Sequence, residues 1–287
     1  MYKQILFILV TAIMLVGCEA KKEIKSDLEK MNLKGKISKV IIATNTAEVN
    51  NGLVDAVKTS TDKNYYNHII KFNDDGNIIS YRSLNYKRKR VKEIHYEYDN
   101  NKRLISEVYL NADDNIDKRK VYEYEGENLI CIRTEDRYTN ELGREEFKYD
   151  GDKVVKKEKY RNGVLVSSDT LLSNDENYEA WEHSDENGIT NHEFIYENGA
   201  LKEAIFGDMS YLFERDEKGN ITKAYNASAS PEGFEIFDCK SKEGVHIYKY
   251  KYDKRGNWKS RIEHYSEKGR AKFLVSRKIF YEDGDDK

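Results

Sequence analysis

The chain has 287 residues, of which 38% are hydrophobic and 35% charged, with a formal net charge of -3. That balance excludes a nucleic-acid binder, which would show a basic excess. The 22 Tyr and 10 Phe exclude a disordered chain despite the polarity, because aromatics supply large buriable surface.

The first 18 residues read as an address. Lys3 precedes an apolar run from Ile5 to Val16. The run is too short to span a bilayer as a helix and suits the core of a signal peptide. It ends in Leu15-Val-Gly-Cys18, which resembles the lipobox of bacterial lipoproteins. The resemblance implies that residues 1–17 are removed as a signal peptide and that the Cys18 thiol carries diacylglycerol. It also implies that the protein is lipid-anchored in the cell envelope, facing the periplasm or the outside. Two or three acyl chains suffice for stable anchoring. Residues 18–32 follow as a charged tether, in which Ser26-Asp-Leu-Glu29 reads as the capping box of a short helix ending near Met31.

Leu33 to Ile42 reads as an opening strand, and residues 44–63, rich in Thr, Asn, Asp and Lys, as a loop. The regular body begins near Tyr65, where side chains alternate with period two. Ile94, Tyr96 and Tyr98 share one strand face, with Glu93, His95 and Glu97 on the other. Tyr248, Tyr250 and Tyr252 repeat the arrangement against Lys249, Lys251 and Asp253. Lys87 to Arg90 form a local basic run, read as a solvated loop. A single Pro, Pro231, leaves ladder hydrogen bonds almost unobstructed. Residues 167–192 and 226–245 interrupt the rhythm and are read as a boundary or a functional insertion.

One motif organises this body: an aromatic, an acidic or amide turn, a glycine, then an aliphatic or aromatic. Clear copies are Phe72-Asn-Asp-Asp-Gly-Asn-Ile78, Tyr196-Glu-Asn-Gly-Ala-Leu201 and Tyr252-Asp-Lys-Arg-Gly-Asn-Trp258. Looser copies begin at Tyr98, Tyr124, Tyr149 and Phe213, and Tyr281-Glu-Asp-Gly closes the series. Asp-Gly, Asn-Gly and Gly-Asn supply the positive φ of tight hairpin turns. The expected fold is all-β, a repeat array of antiparallel β-hairpins over residues 33–287 forming an elongated, twisted or curled sheet. The motif resembles the YD repeats of the RHS family. With the lipobox it also resembles uncharacterised lipoproteins of Bacteroidetes-type bacteria. RHS repeats form long curled sheets that close into shells in large toxins. The copies here are too few, on this reading, to enclose anything, and the resemblance transfers no catalytic residue.

Chemistry is thinly signalled. No HExxH, nucleophile elbow, phosphate-binding loop or catalytic Cys/His pattern occurs. No cofactor is expected, and no Cys-x-x-Cys or Cys/His spacing points to zinc. His183 and His192, each beside a glutamate (Glu182, Glu193) and with Asp185 near, could meet across a hairpin around a metal. Exposed strand residues are the favoured reading, and no metal site is assigned. Cys131 and Cys239 read as small core residues whose pairing stays open. The candidate binding residues are Tyr248, Tyr250, Tyr252 and Trp258, the densest aromatic row. Tyr250 is expected to be core and Trp258 exposed.

The function expected from the sequence is non-enzymatic: a lipid-anchored envelope protein displaying a β-repeat surface to a protein or glycan ligand. An accessory or immunity factor of an RHS-type toxin system and a polysaccharide hydrolase are the alternatives.

Overall fold

The computed structural model describes residues 25–50, 53–59, 67–228, 245–264 and 271–284. Cys18, Cys239 and Pro231 lie outside them. A short helix, α1 (Asp27–Lys30), precedes the strands. Ser26 and Glu29 close its capping box in both directions.

The strands are β1 (Ile37–Asn50), β2 (Leu53–Thr59), β3 (Asn67–Phe72), β4 (Ile78–Leu84), β5 (Arg90–Tyr98), β6 (Leu104–Leu110), β7 (Ile116–Glu125), β8 (Asn128–Asp136), β9 (Glu141–Asp150) and β10 (Lys153–Arg161). They continue as β11 (Val164–Asn174), β12 (Tyr178–Asp185), β13 (Gly188–Glu197), β14 (Ala200–Phe206), β15 (Met209–Arg215), β16 (Ile221–Ser228), β17 (Val245–Tyr252), β18 (Trp258–His264) and β19 (Ala271–Tyr281).

Each strand from β3 to β19 pairs antiparallel with the next. β1 then joins the two ends. It pairs with β3 from Lys39↔Lys71 to Ile42↔His68, and with β19 from Ile37↔Tyr281 to Thr46↔Phe273. The result is a closed barrel of 18 strands, with β2 outside the ring against the second half of β1. This corrects the expected elongated or curled open sheet. An open array would leave two exposed edges with unpaired backbone groups, and closure removes both. The copies therefore do suffice to enclose a space.

Two local readings also change. Residues 44–63 are not simply a loop, because β1 runs on to Asn50 and β2 returns along it. Residues 167–192 are no interruption, since β11, β12 and β13 cross them as a continuous antiparallel ladder with one bulge at Leu171–Ser173. Their turns lack the aromatic motif but keep the ladder.

Antiparallel pairing carries the alternation around the ring, so one set of side chains shares a single face throughout. That set includes Val40, Ile70, Tyr81, Ile94, Tyr109, Tyr122, Phe147, Trp181, Phe194, Tyr250 and Val275. It is the inner face, as α1 demonstrates. Leu28 packs with Ile37, Val40, Ile70 and Phe72 of this set. At one end of the same segment Leu28 N donates to Gly76 O, in the β3–β4 turn. At the other, the Asn32 amide donates to Lys218 O, in the β15–β16 turn. Those turns are six strand spacings apart around the ring, an arc of about 29 Å. A helical stretch of that length spans only about 9 Å. The sheet therefore curves around α1, which lies across one mouth of the barrel.

The inner wall is aromatic and aliphatic near that mouth. One cluster gathers under α1, and a second joins Val154, Trp181, Phe194 and Ala204 with Tyr149, Tyr196 and Phe206. Further from α1 the same wall carries Lys92, Lys118, Asp169, His183 and Asp185. The outer wall is charged along its length, with Arg82–Glu93, Arg133–Glu123, Arg144–Glu146, and Lys148 and Lys156 on Glu158. Among the described residues neither wall presents an uninterrupted apolar band.

Candidate functional site

The repeat aromatics sit where each strand meets its turn. Phe72, Tyr98, Tyr124, Tyr196 and Tyr252 are each followed by an Asx or Glu turn, and a register shift falls beside each of them. The shift is a bulge, and a bulge leaves a residue out of the ladder. Tyrosine hydroxyls fill the gap. Tyr98 donates to Ile78 O at 2.9 Å, Tyr124 to Leu104 O at 2.9 Å and Tyr149 to Leu129 O at 2.9 Å. Each acceptor lies at the start of the strand after the preceding hairpin's turn: Ile78 and Leu104 are first residues and Leu129 is the second. In the copy beginning at Phe213 the position is held by Arg215, whose guanidinium donates to Leu201 O. The tyrosines of the motif are thus structural, reaching from one hairpin to the one before.

The aromatic row Tyr248, Tyr250 and Tyr252 stands on the inner wall rather than on a displayed outer surface. Its register places Tyr252 opposite Trp258, Tyr250 opposite Arg261 and Tyr248 opposite Glu263. Trp258, expected to be exposed, is only 8% exposed, because its bulged position at the start of β18 turns the indole inward beneath Arg277. Tyr250 is partly buried, donates to Ile221 O at 2.7 Å and lies 5.8 Å from the Trp258 ring. Tyr252 donates to Asp216 and accepts from the Asn220 amide at 3.1 Å.

Two arginines complete this patch. Arg261 lies 5.0 Å from the Tyr248 ring centre and 5.5 Å from that of Trp258. Arg277 stacks on Trp258 with its guanidinium carbon 3.4 Å from the ring centre. Their situations differ. Arg261 forms an ion pair with Glu263, itself 2% exposed. Burial works to lower the Arg261 pKa, but the Glu263 charge and the neighbouring tyrosines hold it above the ordinary value. Among the described residues Arg277 has no such carboxylate. Its Nε and Nη1 are buried without a hydrogen-bond partner. Burial, aided by the like charge of Arg261, pushes its pKa down to about 9. An arginine yields its proton with great difficulty, so the site is a desolvated cation with no anion beside it among the described residues. The alternation in β18 and β19 would have placed both arginines on the tyrosine face. What sequence could not show is that Arg277, one strand beyond β18, stacks on Trp258.

The histidines resolve differently from their sequence neighbours. Glu182 and Glu193 alternate to the outer wall, away from His183 and His192. The partner is Asp169, which sequence reasoning missed because it lies one strand earlier, on β11. Asp169 pairs with His183 across β11–β12, and its Oδ1 lies 2.7 Å from His183 Nδ1. The His183 and His192 rings stack at 4.8 Å, and Asp185 Oδ2 lies 3.7 Å from His183 Nε2. Cys131 is a free, buried thiol on the outer wall, with its pKa pushed up to about 11 by burial and by Glu123 and Glu146.

The inner carboxylates are already engaged. Glu107 accepts from Tyr109 and Tyr122. Glu179 accepts from the Trp181 indole at 2.7 Å and from Tyr196 at 3.2 Å.

No protein-family model matches the chain, and no curated sequence matches it. Similar solved structures include a porin-like protein from Bacteroides uniformis, 12% identical, which covers 85% of this chain and 96% of its own, with a TM-score of 0.42. They also include the Photorhabdus luminescens Tc holotoxin pore, 11% identical over 84% of this chain and 14% of that one, with a TM-score of 0.38.

Proposed function

We propose that this protein is a non-catalytic, lipid-anchored barrel of the bacterial cell envelope that binds an acidic glycan against its inner wall. Cys18 is the anchor. The barrel stands in water beside the membrane. Charged side chains on the lipid-facing side of a membrane barrel cost about 2–4 kcal/mol each at the bilayer midplane, and both walls of this barrel are charged.

The observation that carries the binding reading is Arg277, a buried guanidinium with two unpartnered nitrogens stacked on Trp258. Guanidinium groups match carboxylates with two parallel hydrogen bonds. Trp258 and Tyr250 offer flat apolar surface beside it, suited to a sugar ring. The engagement of Glu107 and Glu179 by tyrosine and tryptophan donors favours binding over hydrolysis, which needs a carboxyl pair free to act on a glycosidic bond.

The test is the melting temperature of the full-length protein in mild detergent with uronic-acid oligosaccharides or neutral glucan oligosaccharides. The acidic set should raise it and the neutral set should not. Arg277→Met should melt at or above the wild-type temperature without ligand and lose the response. An equal response to both sugars, or an unaltered response in Arg277→Met, would overturn the reading.

A further inference from the structure

Asp169, His183 and His192 come from three consecutive strands, β11, β12 and β13, and all point to the inner wall. One potential ligand atom of each lies within 4.8 Å of the others. We propose that these three side chains form a zinc site, independent of the arginine–tryptophan patch and of the glycan reading.

The donor set is two imidazoles and one carboxylate. Imidazole nitrogen suits zinc, and three protein ligands with one open position is the arrangement of zinc sites that keep a water or a ligand group on the metal. The strand register supplies the three donors from regular backbone rather than from a loop, so the site is largely built before any metal arrives.

The surroundings fit as well. A metal-bound histidine generally gives its second ring nitrogen to a carboxylate. With His183 Nδ1 turned toward Asp169, Asp185 stands at 3.7 Å from Nε2 in that outer position. Phe206 meets the His192 ring edge-on at 5.0 Å and closes one side of the cluster. Lys157 is the cross-strand partner of Asp169 on β10. Its ammonium lies over the Trp181 ring at 4.0 Å.

Calorimetric titration of the chelator-stripped full-length protein with zinc chloride tests the site. One zinc per chain is expected. His183→Ala and His192→Ala should each abolish measurable binding, and Asp185→Asn should weaken it by roughly 10–100-fold. His95→Ala, on the outer wall, should leave it unchanged. Cobalt titration of the wild type needs no variant to fold, and should give the intense visible bands of a tetrahedral ion. Failure of the wild type to bind zinc stoichiometrically, zinc binding that survives in a folded His192→Ala protein, or only the weak spectrum of octahedral cobalt would overturn the proposal.

Discussion

The two ends of the barrel are built on the same turn and finished differently. At the α1 end, Asn73, Asp99, Asp216 and Asp253 each accept from the backbone two to four residues on. At the opposite end Asn85, Asn111 and Asp136 do the same. Both ends also bring a bulge beside the turn. The difference lies in the preceding residue. Phe72 and Tyr98 point inward, whereas Leu84, Leu110 and Glu135 at the far end fall on the outer wall. Turn geometry therefore does not depend on the aromatic: both ends share the Asx side chain and a following residue at positive φ, such as Gly76 at one end and Arg88 at the other. The aromatic half of the motif is a separate device, which fills the inner wall at one mouth and ties each hairpin to its predecessor.

That division predicts unequal effects of mutation. Phe72→Ala, at a site 5% exposed beneath α1, should lose about 3–5 kcal/mol in denaturant unfolding. Tyr138→Ala, in a far-end turn and 66% exposed, should stay within about 0.5 kcal/mol. Equal losses would erase the distinction between the ends.

Asp27→Ala tests α1 as part of the same device. Asp27 accepts from Ile78 N at 2.8 Å and from the Tyr98 hydroxyl at 3.1 Å. Its removal strands the Ile78 amide, while the Tyr98 hydroxyl keeps Ile78 O as acceptor, and should cost about 1–3 kcal/mol. Hydrogen exchange should rise at the amide of Ile78 but not in the far-end turns.

Between the two ends sits His68, on the inner wall beside Tyr81, whose hydroxyl lies 2.8 Å from Nδ1. Burial, reinforced by the charge of Lys92, pushes its pKa down to about 4. The unfolded chain takes up the proton near pH 6.5, well before the folded one. The stability that neutral His68 contributes is therefore present above about pH 6.5 and lost as pH falls toward 4. Melting temperatures at pH 7 and pH 5 should differ less in His68→Gln than in the wild type. An unchanged difference would remove His68 from the acid response.

Much of this fold was legible in the residues. Period-two alternation at Ile94–Tyr98 and Tyr248–Tyr252 and the Gly-bearing turns define hairpins, and the Ser26–Glu29 capping box specifies α1. Closure was not legible, because it rests on nine β1–β19 register pairs, from Ile37↔Tyr281 to Thr46↔Phe273, that join the two ends of the chain, and nothing local in Ile37–Thr46 names its partner. The strands within 167–192 were missed for a related reason. Asn174 to Asn177 turn the chain without an aromatic or glycine, so only the ladder with β11 and β13 reveals β12. The site followed the same pattern. The tyrosine row could be read from β17 alone, whereas Arg277 and Asp169 join their sites only through neighbouring strands.

The central claim is that a closed barrel, charged on both walls, stands in water and is held to the envelope only by its lipid. Expression of Cys18→Ala beside the wild type, with fractionation in detergent-free buffer, tests it most directly. The account predicts wild type in the membrane fraction, and a Cys18→Ala protein that is soluble, monodisperse and as β-rich by circular dichroism as the detergent-purified wild type. A folded Cys18→Ala protein that stays in the membrane until detergent releases it would contradict the account.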